Sequence, residues 1–194
     1  PAADRIAALQ GLTDVLVAAA KPEEAAKTLA AEARKLPPGE TRQSVELMTG
    51  QLYRDVLKNP QQARAWLGAA DVGTASALSL EAGMALVEVE IQSGDAGAAE
   101  KRLENLAKRD IAESPWLVPI HYRLAVLYHR RQQLPEALAE YTTVADAKSR
   151  DARTRYAKVI AESREQAQAI SDYLRLTGGP AGSRITVPKL REDP

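Results

Sequence analysis

Cysteine is missing from all 194 residues, which excludes disulfides, thiolate metal sites and cysteine nucleophiles together. Phenylalanine is also absent, and aromatics make up only 4% of the chain. No run approaches the roughly 20 apolar residues that a membrane-spanning helix needs. The strict Val/Ile/Thr alternation that marks strands does not occur before the last residues. Histidine is scarce, with only His121 and His129. Eight helical residues leave them about 80° apart after two full turns, so they form no close metal-binding pair, and further ligands in register are lacking. Glycine-rich Gly178-Gly179-Pro180-Ala181-Gly182 lacks the following lysine and helix of a phosphate loop. Carboxylate pairs such as Glu23/Glu24 and Glu88/Glu90 read as solvated helix surface. Without a Ser-His-Asp or Glu-x-x-His arrangement, the sequence predicts no enzyme, no metal and no cofactor.

An excess of one charge is lacking too, since 26 Lys/Arg balance 26 Asp/Glu. Residues 1–100 carry 9 basic against 14 acidic side chains and residues 101–194 carry 17 against 12, so the halves are −5 and +5. An excess of five interleaved with twelve acids argues against nucleic-acid binding, which concentrates positive charge on one face. It leaves room for head-to-tail self-association into a homo-oligomer. A cysteine-free chain suits cytoplasm and periplasm alike. Because it opens at Pro1-Ala2-Ala3-Asp4, it is expected to be a trimmed product with an upstream signal or anchor missing.

What is present is helix-forming. Hydrophobic residues reach 45% and charged ones 27%, ordinary for a folded protein. Alanine and leucine dominate, a mixture suited to closely packed helices. Lys21-Pro22, Asn59-Pro60, Gly94-Asp95, Ser114-Pro115 and Leu134-Pro135 read as helix starts. The segments between them have apolar spacing near 3.6. They pair into hairpins: Ile6–Val17 with Glu23–Leu36, Val45–Leu57 with Gln61–Ala70, Leu80–Ile91 with Ala96–Ala107, and a fourth pair within 118–148. Ala25, Ala63, Ala99 and Ala137 recur at intervals of 38, 36 and 38, each followed four residues later by Leu29, Leu67, Leu103 or Tyr141. Self-similarity at such a period marks stacked repeats. Asp151–Thr177 then reads as one continuous capping helix with Tyr156, Val159, Ile160, Ala167, Ile170 and Leu174 along one stripe, and 178–194 as a flexible tail.

The string Leu124-Ala125-x-x-Tyr128 followed by Leu134-x-x-Ala137-x-x-x-Tyr141 resembles the tetratricopeptide repeat. The third hairpin is similar, with Leu86-Val87, Ala99 and Leu103, but has Glu90 where the tyrosine would stand. Gly50-Gln51 and Leu12-Thr13 occupy the large-small site in the earlier two. The resemblance covers about residues 5–148. It implies an all-α, right-handed α-α superhelix (a solenoid) of about four helical hairpins, near 5–36, 44–71, 80–110 and 118–148, with the capping helix at 151–177.

The family holds protein or peptide partners in a concave groove lined by the first helix of each hairpin. Position by position, the resemblance implies Met48, Leu52 and Asp55 in the second hairpin, Met84, Glu88 and Ile91 in the third, and Tyr122, Val126, His129 and Arg130 in the fourth. Gln10 and Asp14 come from the first. The alternative for Met48, Met84 and Ile91 is packing between repeats. His121 falls where the family often has a packing aromatic. Members that grip C-terminal carboxylates use Lys, Asn and Arg where this chain has Gln10, Asp14, Met48, Thr49 and Leu52, and only Arg123 fits. An apolar or helical ligand segment is expected instead. The function implied is a non-catalytic adaptor or scaffold, of a kind found in bacterial envelope assembly and secretion. The alternatives are a self-assembling scaffold and a regulatory or targeting piece of a larger enzyme.

Overall fold

A computed structural model describes residues 2–109 and 111–177, and all regular structure among them is helical. The helices are α1 (Ala2–Ala18), α2 (Pro22–Lys35), α3 (Glu40–Asp55), α4 (Pro60–Ala70), α5 (Ala77–Gln92), α6 (Ala96–Ala107), α7 (Leu117–Arg130), α8 (Leu134–Ala145), α9 (Arg150–Arg155) and α10 (Ala157–Thr177). The chain divides into two compact units, with the boundary between Arg109 and Asp110. The expected tail, 178–194, lies outside the described residues.

One backbone device closes all four hairpins. The residues with positive φ at their joints are Ala20 (59°), Lys58 (50°), Gly94 (77°) and Gln132 (61°). Each stands five positions before the recurring alanine. A left-handed residue just past a helix turns the chain back and lets the next N–H reach a carbonyl near the helix end. Lys21 donates to Leu16 O, Asp95 to Glu90 O and Gln133 to Tyr128 O, at 2.8–2.9 Å. The second helix then starts at once. Asn59 and Asp95 accept the Gln62 and Ala98 N–H groups at 3.1 Å, and Pro22, Pro60 and Pro135 fill the first turns of α2, α4 and α8.

The recurring pairs lie in the core. Ala25, Ala63, Ala99 and Ala137 are buried, and so are Leu29, Leu67, Leu103 and Tyr141. In the first unit α2 packs on α3 and α4 on α5, while α1 also lies beside α3 and α3 beside α5. One apolar cluster joins Leu9 of α1 and Ala25, Leu29 and Ala33 of α2 to Val45 and Leu52 of α3. The next joins Leu47 of α3 and Ala63, Leu67 and Ala70 of α4 to Ala82, Leu86 and Val89 of α5. Each cluster therefore needs a hairpin and the helix that follows it, because one hairpin has too little apolar surface to bury its own face. Contact is close at Gly50, where a methyl group would lie 2.5 Å from Leu67 Cγ.

In the second unit α10 covers α8 and touches α7 and α9. Ile170 of α10 joins Ala125, Leu134, Ala137 and Tyr141, with Tyr122, Tyr128, Ala167, Tyr173 and Leu174 packed around them. Two boundaries differ from the sequence expectation. Ser114-Pro115 does not open a helix: Ser114 Oγ accepts the Trp116 N–H at 3.2 Å, and α7 begins at Leu117. The span 151–177 is also not one helix, because it breaks at Tyr156. Ala152 and Ile160 are both buried, yet eight residues on an unbroken helix would set them about 80° apart. The break lets both face inward.

Candidate partner-binding face

The adjacent first helices of the first unit are joined by polar side chains. Gln51 Nε2 of α3 donates to Glu81 Oε1 of α5 at 2.9 Å. Three residues on, one turn along the same side of α3, Arg54 Nη1 donates to Glu88 Oε2 at 2.6 Å. Arg54 also grips its neighbour Asp55 with two parallel bonds of 2.7 and 2.8 Å. This fork geometry is available to Arg and not to Lys. The hydrogen bond to Asp55 raises the Arg54 pKa, outweighing the opposing effect of burial, with the charges of Glu88 and Asp55 adding to the rise. Arg54 is thus a fixed cation between two carboxylates.

The predicted groove residues fall into different environments. Asp55 is exposed, Glu88 partly so, and Ile91 keeps 54% of its surface in water. Gln10 and Asp14 are exposed on α1. Met48 is half-buried against the first apolar cluster. Leu52 and Met84 are buried, so their side chains are enclosed by neighbouring helices instead of facing a partner. In the second unit Arg130 is exposed and Val126 half-buried. Tyr122 packs edge-on to Tyr141 with centroids 6.2 Å apart. His129 is buried, edge-on to the same ring at 5.8 Å, and its Nδ1 lies 3.4 Å from the Tyr141 hydroxyl. Burial holds the His129 pKa below its usual value and pushes the Tyr141 hydroxyl pKa well up. His121 pairs through Nδ1 with Glu140 of α8.

Two ion-pair groups not foreseen from the sequence hold the third hairpin. Glu90 is buried, and Arg102 of α6 reaches it with bonds of 2.7, 2.9 and 3.1 Å. Arg109 meets Asp71 at 2.9 and 3.0 Å and also donates to Ser79 Oγ and Thr74 O. Burial alone would raise the Asp71 pKa. Hydrogen bonds from Arg109, Ser79 and the Gly73 N–H, with the Arg109 charge, hold it below the usual value. These carboxylates are spent on structure. For Glu90 the signal available was an acid at a position where the repeat pattern asks for an aromatic; Asp71, just past the end of α4, offered none.

Near the second joint, Arg54, Lys58, Pro60, Val89, Gln92 and Ser93 line an open cleft of about 320 Å³. Among the described residues no three His, Asp or Glu side chains converge as a metal site, and no helix is long and apolar enough to cross a membrane. The arrangement offers a polar, partly acidic face with one exposed isoleucine at its edge. In comparison with known proteins, no family model, no curated protein and no solved structure matches the chain.

Proposed function

We propose that this protein is a non-catalytic adaptor of the tetratricopeptide-like solenoid kind, which holds a segment of another protein against the face formed by α1, α3 and α5. The observation that carries this reading is the placement of the first helices side by side, α1 by α3 and α3 by α5. Asp55, Glu88 and Ile91 remain accessible along that face. A partner segment would place an apolar side chain on Ile91 and donors on the carboxylates, in the manner of groove recognition by helical repeats. Pull-down from native lysate with the original chain and with an Asp55→Lys plus Ile91→Arg variant tests it. Both side chains are exposed, and circular dichroism checks that the variant folds. A protein held by the original and lost by the variant supports the reading; equal capture by both sinks it.

Self-association is the second reading, favoured by α1. Its Leu12 and Val15, three positions apart on one side of the helix, are 44% and 64% exposed, a small apolar spot on which a second copy could pack. Sedimentation of the original and of Val15→Glu separates the two readings. A species that loses mass on substitution supports self-association, and a monomer in both cases removes it.

A further inference from the structure

We propose that the groove between α2 and α4, on second helices, is a separate docking site for a protein segment carrying an Asp or Glu beside a large apolar side chain. It does not depend on the first-helix reading. An open cleft of about 330 Å³ lies here, with Ala33 and Arg34 from α2, Arg42 and Glu46 from α3, and Ala65, Trp66 and Ala69 from α4 among its lining. Ala65 and Ala69 are one turn apart and exposed, so the α4 wall is low and another backbone can approach closely. Trp66 is half-buried and packs against the first apolar cluster. Its indole is thereby anchored at low entropic cost, the property that makes Trp a frequent interface anchor.

Charge selects the occupant. The one carboxylate lining the cleft, Glu46, is buried and already accepts from Arg42 Nε at 2.7 Å. That bond uses a single donor of Arg42, and a guanidinium has five. Arg34 is exposed and makes no ion pair or hydrogen bond among the described residues. The cleft therefore holds one uncompensated positive charge and spare guanidinium donors next to an apolar wall. A carboxylate on the incoming segment is what completes it.

A phage-displayed library of random 12-residue peptides, selected on the full chain, tests the assignment. Trp66 emission in a Trp116→Phe background then reads the binding of individual selected peptides. The expected result is a shared Asp or Glu within about one helical turn of a Leu, Met or aromatic residue. Binding should shift Trp66 emission, weaken about tenfold with Arg34→Glu and disappear with Ala69→Arg. Asp55→Lys plus Ile91→Arg should leave it unchanged. Both groove positions are exposed, and circular dichroism verifies each fold. No enriched peptide, enriched peptides without carboxylates, or affinity indifferent to Arg34→Glu would each overturn the proposal. Loss of binding only in the Asp55/Ile91 variant would also overturn it and would locate recognition on the first-helix face instead.

Discussion

Glu90 of α5 and Arg102 of α6 are tied by three hydrogen bonds across the third hairpin, with the carboxylate almost wholly enclosed. Removing one partner of such a pair strands a buried charge. Arg102→Leu is expected to cost about 3 kcal/mol in urea unfolding. Replacing both, as Glu90→Leu plus Arg102→Leu, is expected to recover most of that loss, since an apolar pair does not pay the desolvation of two ions. A double variant as unstable as the single one would show that the pair itself, and not the stranded charge, holds α6.

Gln132 occupies the left-handed region with φ 61° at the same joint position that Gly94 fills with φ 77°. A side chain there costs roughly 1–2 kcal/mol, partly offset by the extra chain entropy that glycine loses. Gln132→Gly should therefore stabilise the protein by about 0.5–1 kcal/mol, and Gly94→Ala should destabilise it by a similar amount. Chemical denaturation of the two variants would show opposite shifts. Shifts of the same sign would refute the joint geometry.

Gly50→Ala would drive a methyl group against Leu67. Overpacking of this kind typically costs about 1–3 kcal/mol. Leu67→Ala alone opens a cavity costing about 2–5 kcal/mol. The double variant should cost clearly less than the sum, because the new methyl enters the space the leucine leaves. Strict additivity in a double-mutant cycle would mean that the two positions do not touch.

His129 titrates with its folded-state pKa held below the ordinary 6.5 by burial. Above about pH 6.5 both folded and unfolded chains carry it neutral. As pH falls through 6.5 the unfolded chain takes up a proton that the folded chain refuses, so stability declines toward the lower, folded-state pKa. Asp71, also held below its ordinary value, contributes a second loss only further down, below about pH 3.8. Melting temperatures between pH 7.5 and 5.5 should fall in the original chain and fall less in His129→Gln. Identical slopes would remove His129 as the cause.

The hairpins could be read from the sequence because their signals are local. A proline or a capping Asn or Asp opens the second helix, and an alanine with a large residue four places later marks its inner face. The side chains of the first helices were less legible. From Leu80 to Val87 the third hairpin's first helix is almost unbroken apolar sequence, so periodicity cannot separate a core Met84 from a groove Met84. Leu52 and His129 met the same difficulty. The ion pairs were hidden for another reason: Arg54 and Glu88 are 34 positions apart, and Asp71 and Arg109 are 38 apart. Such pairs depend on tertiary approach, which no local pattern encodes. Tyr156 shows the same limit, with a helix broken where no Pro or Gly stands.

The five-residue interval from left-handed joint to buried alanine is the same in all four hairpins, whereas the repeat length is not. One residue inserted inside that interval would rotate the second helix by about 100°, turning Ala99, Leu103 and Leu106, for example, toward water. An insertion in the segment 71–76, between hairpins, would not rotate a helix in this way, but it would strain the bonds that Asp71 and Thr74 make to Arg109. Variation in repeat length therefore falls outside that interval, in the helices and in the segments between hairpins, and each hairpin keeps its own lock. The turn-back of each hairpin is thus a local event, whereas the burial of its apolar face waits on the helix that follows it.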